Sequence, residues 1–299
     1  LQAGFFDLFR DPADTGGNTE TIWSLSALAT GNRIFNGLHY NSTAIGGGGW
    51  NGFSTLAEYY DLYEGDPNSN FVDVDGNPVN PDGSPNVTNP QEERRGGVPF
   101  EGKPYTGEPG TTDNGGLEDG SNVGFGYLVG QQYALDGTAL TDRAGAPLTF
   151  KRDFVDGTGA SSFINNDETT GIRVMKYNPR YGGGFAGHEV IFRYADAHLM
   201  KAEAMLRSGG DATAMVNELR VLRGATPLGS VGEQQLIDER GRELYQEVWR
   251  RNDLIRFGEF TRDWLFKESS EIGNTSRHLF PIPPTQLLAN PNLVQNPGY

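Results

Sequence analysis

From residue 193 onward the apolar positions fall into helical register. In "RYADAHLMKAEAMLRSGG", Ala195, Leu199, Ala202 and Leu206 stand at i, i+4, i+7 and i+11, one face of a helix that Gly209 and Gly210 end. "DATAMVNELRVLRGA" follows, with Asp211 placed to cap and Ala212, Met215, Leu219 and Leu222 on one face. "SVGEQQLIDERGRELYQEVWRRNDLIRFGEF" opens on a capping-box pattern, Ser230 to Glu233, and carries a stripe of Ile237, Leu244, Val248 and Ile255. The spacing predicts helices over 193–208, 211–223 and 231–257. The first two, joined by a few residues, form an antiparallel hairpin with alanines at the contact. Gly241 inside the third costs about 1 kcal/mol against alanine, which close packing would explain.

Upstream, the pattern is looser. "STLAEYYDLYEG" reads as a short helix that Ser54 caps and Gly65 stops. Residues 66 to about 122 are nearly all turn formers, which predicts a long excursion with at most one hairpin and no core of its own. Short β-like runs alternate with turns between "VGFGYLVGQQYAL" and "GIRVMKYNPRY". The chain closes on "HLFPIPPTQLLANPNLVQNPGY", where five prolines forbid a long helix or a central strand while Leu279, Phe280, Leu287, Leu288 and Val294 demand cover. This predicts an ordered extended strap lying on a body that buries its side chains.

The fold class expected is therefore mainly α with extensive irregular loops: a helical hairpin and a long helix packed with a loop-rich region containing short β-hairpins. The boundaries are 1–190 for the loop-rich region, 191–260 for the helical body and 261–299 for the strap.

Composition sharpens this. With 42 glycines, 17 prolines and 36% hydrophobic residues, much of the 299-residue chain must be loop, but 11% aromatic residues point to folded loops rather than disorder. The net charge of −15 argues against nucleic acid and anionic membrane surfaces as partners. The absence of cysteine excludes disulfides, thiol catalysis and cysteine-ligated zinc. No apolar run approaches the ~20 residues of a spanning helix. The start at "LQAGFFDLF", without methionine or a signal-like segment, reads as processed or truncated, so any targeting peptide or lipid-attachment cysteine would lie outside this segment.

"FRYADAHLMKAEAMLRSGG", "NELRVLRGA", "DERGRELYQEVWRRNDLIRFGEF" and "HLFPIPPTQLLANPNLVQNPGY", in this order, resemble the C-terminal region of the SusD/RagB family. "TETIWSLS", "GWNGFSTLAEYYDLYEGD" and "GIRVMKYNP" resemble its looser upstream landmarks. The resemblance implies a tetratricopeptide-like helical body with an irregular region that holds a ligand. It also implies a surface-exposed, lipid-anchored glycan-binding protein of the Gram-negative outer membrane, the lid of a SusC-like TonB-dependent transporter, without catalytic activity or cofactor. Members are usually much longer and begin with a lipid-modified cysteine. Against that pattern this segment reads as a fragment or a natural truncation that lacks the amino-terminal helices and anchor, so a site drawn partly from them is expected to be incomplete here. A second reading is a tetratricopeptide-like module that binds peptide or protein in a nutrient-import complex.

Enzyme-like patterns reduce to simpler ones. Gly182, Gly184 and Gly187 satisfy G-x-G-x-x-G, but "HEVIF" after them reads as a strand where a dinucleotide loop needs a helix. "HEVIF" has Phe192 where a zinc protease needs its second histidine, and His39, His198 and His278 sit in unrelated contexts, so no metal site is expected. "DVDGNPVNPDGS" is calcium-like in composition but lacks the glycine and glutamate of an EF-hand, and reads as a solvated turn. Glu239, Glu243 and Glu247, interleaved with Arg240, Arg242, Arg250 and Arg251, read as structural ion pairs of one helix rather than glycosidase carboxylates.

The aromatic residues carry the functional expectation. A sugar ring stacks its C–H face on Trp or Tyr while nearby amides satisfy its hydroxyls. "GLHYNSTAIGGGGWNGF" supplies Tyr40, Asn41, Trp50, Asn51 and Phe53 around a glycine run expected to act as a mobile hinge. Core packing is the competing reading of Trp50. Trp23 alternates as in a strand and is expected in the core, as are Trp249 and Trp264 in the helical body.

Overall fold

A computed structural model describes residues 1, 5–9, 19–26, 37–42, 48–64, 71–72, 78–79, 126–128, 130–132, 139–177 and 188–299. The glycine run 182–187 and the calcium-like stretch 73–84, apart from the strand residues at 78–79, lie outside the described residues. In chain order the regular elements are β1 (Thr21–Ser26), α1 (Ala57–Tyr60), β2 (Phe71–Val72), β3 (Pro78–Val79), β4 (Gly126–Leu128), β5 (Gly130–Gln131), β6 (Thr149–Phe150), β7 (Arg173–Met175) and β8 (His188–Arg193). Five helices follow: α2 (Tyr194–Arg207), α3 (Thr213–Leu222), α4 (Glu233–Glu243), α5 (Arg250–Arg256) and α6 (Pro284–Ala289). Among the described residues the strands pair two by two, all antiparallel: β1 with β8, β2 with β3, β4 with β7 and β5 with β6. The chain divides into two compact units, Leu1–Glu247 and Val248–Tyr299.

The mainly α, loop-rich class stands, and the helical hairpin forms where the spacing places it. Ala195, Leu199 and Ala202 of α2 are fully buried, and the His198 ring nitrogen meets the Met215 carbonyl of α3 at 2.8 Å. Gly209 (φ +82°) and Gly210 end α2, Gly210 donating its N–H to the Met205 carbonyl at 2.9 Å, as a left-handed cap requires. The buried face of α3 is turned from the expected one. Val216, Leu219, Arg220 and Arg223 face inward with Ala212, while Met215 and Leu222 are only partly covered. Two interior arginines turn it, because their partners lie inside.

Those partners are the carboxylates of α4 and the turn after it, which form the structural ion pairs expected of them, in the interior. Glu243 accepts from Arg193 at 2.6 Å and from Arg223 at 2.8 Å. Glu247 accepts from Arg193 at 2.7 Å and from Lys176 at 2.6 Å. Glu20 reaches Arg193 at 2.9 Å, Glu239 takes Arg220 and Arg242, and Asp196 takes Arg240 at 2.9 Å. Arg220 also pairs with Glu64. Such burial is tolerated only where each charge is matched and hydrogen-bonded. Aromatic rings complete the enclosure: the Lys176 ammonium sits 4.1 Å from the Tyr245 ring centroid and 4.4 Å from that of Phe9.

This network also breaks the long helix expected over 231–257. Arg193 takes the Glu243 carbonyl at 2.7 Å and Lys176 takes that of Tyr245 at 2.7 Å, carbonyls that a continuing helix would offer four residues on. α4 therefore ends at Glu243, and Gln246 and Val248 adopt left-handed φ of 56° and 65°. Val248, assigned to the buried stripe, is exposed. The start of α4 differs too: Gln235 accepts the Gly232 N–H at 3.0 Å, in place of the expected Ser230–Glu233 box. Gly241 is buried, and its carbonyl accepts the Tyr59 hydroxyl at 2.5 Å.

An aromatic core gathers Phe5, Phe9, Tyr60, Tyr63, Tyr127, Tyr177 and Tyr245 with Ile172 and Val190. A smaller cluster of Leu38, Leu128, Leu148 and Phe150 underlies the loop region. Trp23 lies in a strand as expected, but it is half exposed and stacks on Phe192 across the β1–β8 pair at 5.8 Å instead of entering the core.

Within the second unit the closing residues are ordered by amide side chains. Gln295 accepts the Ile282 N–H at 2.8 Å and donates to its carbonyl at 3.0 Å, and Asn296 donates to the Phe280 carbonyl at 2.7 Å. These amides supply partners that the prolines remove from the backbone. The tail is less extended than expected, because Pro284 starts the short helix α6. Its apolar side chains are covered only in part: Ile282 and Leu287 are partly buried, whereas Leu288 is 86% exposed and Phe280 and Val294 are open as well.

Candidate functional site

The candidate site starts from the loop that carries Trp50. Gly49 donates its N–H to the His39 carbonyl at 2.9 Å, and Asn51 donates its own to the Leu38 carbonyl at 2.9 Å. Leu38 is anchored in the smaller apolar cluster. A Cβ on Gly49 would lie 1.8 Å from the Leu38 carbonyl oxygen, and one on Gly48 2.1 Å from that of Tyr40. These glycines serve close backbone approach, which corrects the mobile-hinge expectation: at residues 48–51 the loop is pinned to 38–40.

The pinning leaves the aromatic side chains outward. Trp50 is 54% exposed, Phe53 47% and Tyr40 45%, so the core reading of Trp50 does not hold. The two asparagines are less available than expected. Asn41 donates its amide to the Thr141 carbonyl at 2.7 Å. Asn51, at φ 53°, donates to the Glu168 carbonyl at 2.8 Å and accepts from Arg173 at 2.5 Å. Both amides hold the loop onto the segment 139–177.

That segment is a succession of tight turns closed by aspartates. Asp142 accepts the N–H groups of Ala144 and Ala146, Asp156 those of Thr158 and Ala160, and Asp167 that of Thr169. On either side of the second turn, Phe154 and Phe163 stack at 5.7 Å. Phe154 and Phe163, with Asn51, Ser54, Asp167 and Arg173, line a cavity of about 400 Å³. Sequence reasoning missed both phenylalanines. Two aromatic side chains inside the turn-rich, polar run "DFVDGTGASSFINND" are the signal that marks them.

The charges at the cavity are arranged in pairs. Glu168 accepts the Arg143 backbone N–H at 2.9 Å and its Nε at 2.5 Å, which hold its carboxyl below the usual range. The Arg143 guanidinium in turn covers the Tyr40 ring at 4.7 Å. His39, wholly buried 3.4 Å from Glu168, is held below its ordinary pKa by that burial, and its Nδ1 accepts the Asn41 N–H, which places the proton on Nε2. Burial pushes the Asp167 carboxyl up, but Lys151 at 2.5 Å and the Thr169 hydroxyl and N–H more than offset it and hold it at about 2. Among the described residues no group of three metal-ligating side chains could hold an ion.

A second cavity, of about 430 Å³, lies within the Val248–Tyr299 unit, with Phe260, Trp264, Phe280 and Tyr299 among its walls. Trp264 is thus only partly buried, with the Arg262 guanidinium 3.4 Å over its ring, and Trp249 is also only partly buried.

The chain as a whole is similar to known proteins. The model of the SusD family matches residues 19–299. The starch-binding protein SusD of Bacteroides thetaiotaomicron is 40% identical over 146 residues, which cover 44% of this chain and 26% of that protein. Among solved structures, a SusD-like protein from Bacteroides fragilis superposes with a TM-score of 0.56 at 18% identity, over all of this chain and 58% of the other. A surface glycan-binding protein A from Bacteroides fluxus gives 0.54 at 18%, and a laminarin-binding SusD-like protein 0.52 at 21%, each over all of this chain and 54% of the other. At these identities the structural likeness establishes the fold, and the chain spans a little over half of each structure. No helix among the described residues is long and apolar enough to cross a membrane.

Proposed function

Because the chain belongs to the SusD family, we propose that it captures an oligo- or polysaccharide without transforming it, on the surface formed by Tyr40, Trp50 and Phe53 beside the cavity of Phe154 and Phe163. One observation carries this reading: three large aromatic side chains stand roughly half exposed on a loop whose backbone is pinned. Rigid, solvent-facing rings lose little entropy when an apolar sugar face stacks on them. Asn41 and Asn51 belong to the proposed surface as its scaffold, their amides fixing the plates.

The state of the carboxylates supports a binding rather than a hydrolytic role. A general acid for glycoside cleavage needs a raised pKa. Asp167 is held at about 2 and Glu168 below its ordinary value, so both cavity carboxylates stay ionised and paired.

We place the protein at the outer-membrane surface, anchored by lipid outside this segment, and handing its glycan to a SusC-like TonB-dependent transporter. Affinity electrophoresis against a panel of polysaccharides, paired with an assay for reducing ends, tests the central claim. Retardation by at least one polysaccharide without release of sugar is expected. Turnover that persists in a purified chain would overturn the non-enzymatic reading.

A further inference from the structure

Arg173 is a buried cation in the cavity wall. Its side chain is only 2% exposed, yet it lines the cavity wall. Its Nη1 donates to the Thr170 and Gly171 carbonyls at 2.7 and 2.5 Å, and its Nη2 to Asn51 Oδ1 and the Glu168 carbonyl at 2.5 and 3.1 Å. The face of the guanidinium lies 4.6 Å from the Phe150 ring centroid, and its Nε has no partner. All four acceptors are neutral dipoles. They satisfy hydrogen bonds but do not cancel a unit charge, and no carboxylate among the described residues pairs with this one. The contrast with the helical body is direct, where each buried arginine meets an aspartate or glutamate.

The neighbouring charges leave Arg173 without an ionic partner. Of the two carboxylates in the cavity wall, Asp167 is matched by Lys151 and Glu168 by Arg143. Arg152 is bracketed by Asp61 and Asp153 and does not line the cavity. A chain with a net charge of −15 thus holds in this wall a buried cation that no carboxylate among the described residues matches. Burial costs the guanidinium enough to draw its pKa down from 12.5 to about 10, and it remains charged at neutral pH. An anionic group entering the cavity would supply the missing counter-charge in a partly desolvated setting, where Coulomb attraction is several times stronger than in water.

We infer that the cavity selects a sugar carrying an anionic substituent, a uronic carboxylate or a sulfate ester, with Arg173 as the positioning charge in its wall. This rests on the glycan-binding reading and specifies its ligand class.

Titration calorimetry of the intact chain tests it with three probes of equal length: an oligogalacturonate, its carboxyl-reduced neutral counterpart, and a sulfated galactan oligosaccharide. At least one anionic probe is expected to bind tenfold or more tighter than the neutral one, a difference of about 1.4 kcal/mol. The probe that gains identifies the substituent as carboxylate or sulfate. Arg173→Met should erase that difference and Arg173→Lys should retain part of it, with thermal scans confirming that each variant folds. Should Arg173→Met fail to fold, the comparison of anionic and neutral probes on the unmodified chain decides alone. Equal affinity for all three probes would overturn the charge selectivity while leaving glycan capture intact. Binding to none of these probes, with retardation by a neutral polysaccharide, would also overturn it, whereas no binding to any glycan would overturn both readings.

Discussion

Arg193 and Glu243 meet at 2.6 Å with both side chains wholly buried, 50 residues apart in sequence. Glu243 also takes Arg223, and Arg193 also takes Glu20 and Glu247, so this pair is the crossing point of the interior network. Glu243→Gln keeps the shape but leaves two buried guanidiniums short of a charge. It should destabilise the chain by about 3–5 kcal/mol, the order found when one partner of a buried pair is removed. Urea denaturation measures it. Since Glu243 does not line the cavity of Phe154 and Phe163, glycan affinity of the folded fraction should stay at the parental value.

Lys176 gives the network a pH dependence of definite sign. Burial, with Arg193 adding to it, draws the ammonium down from 10.5 to about 7 against the pull of Glu247. Above pH 7 the unfolded chain therefore holds a proton that the folded chain releases, and stability rises with pH, by at most about 1.4 kcal/mol per unit. Burial pushes Tyr63, Tyr127 and Tyr177 above 10.0, so their opposing effect begins only at higher pH. Denaturation midpoints taken from pH 7 to about pH 9 should climb, and Lys176→Met should flatten the climb. A midpoint that stays flat over this range in the parent would show that the lysine stays charged in the fold.

The α2–α3 contact predicts a third outcome. Ala202 is fully buried on the face that packs the hairpin, and Ala202→Glu would place a carboxylate there without a partner. A loss of several kcal/mol is expected, read as a lower denaturation midpoint. An unchanged midpoint would mean that the face is open.

What was legible in the sequence follows from which signals are local. The hairpin was readable because alanine and leucine at helical spacing admit one geometry, and Gly209 and Gly210 mark its end. The interior network was not, because glutamate and arginine at helical spacing look the same on a solvated face as in a core. Only the distant partners Glu20, Lys176, Arg193 and Arg223 turn that face inward. The break after Glu243 was hidden for the same reason, since side chains from elsewhere capture the carbonyls of the turn. At the candidate site, the glycines beside Trp50 announced an unusual loop, but their reason is close backbone approach rather than motion. The phenylalanines of the cavity meet the loop only through a fold that brings Asn51 to Glu168, 117 residues away.

Trp50 separates binding from packing most cleanly. Its ring is more than half exposed, and the loop that bears it is held by backbone bonds from Gly49 and Asn51 that do not involve the indole. Trp50→Ala should therefore leave the melting temperature nearly unchanged while weakening glycan binding by about 1–3 kcal/mol, the order for losing one aromatic anchor. Asn51→Ala makes the contrast. It removes the acceptor of Arg173 and the donor to Glu168 at a left-handed backbone position, so both stability and affinity should fall. Calorimetric titration and a thermal scan on the two variants distinguish the roles. If Trp50→Ala lowered the melting temperature as far as Asn51→Ala does and left affinity intact, the indole would be part of the scaffold, and the aromatic surface would have to be sought around Phe154 and Phe163.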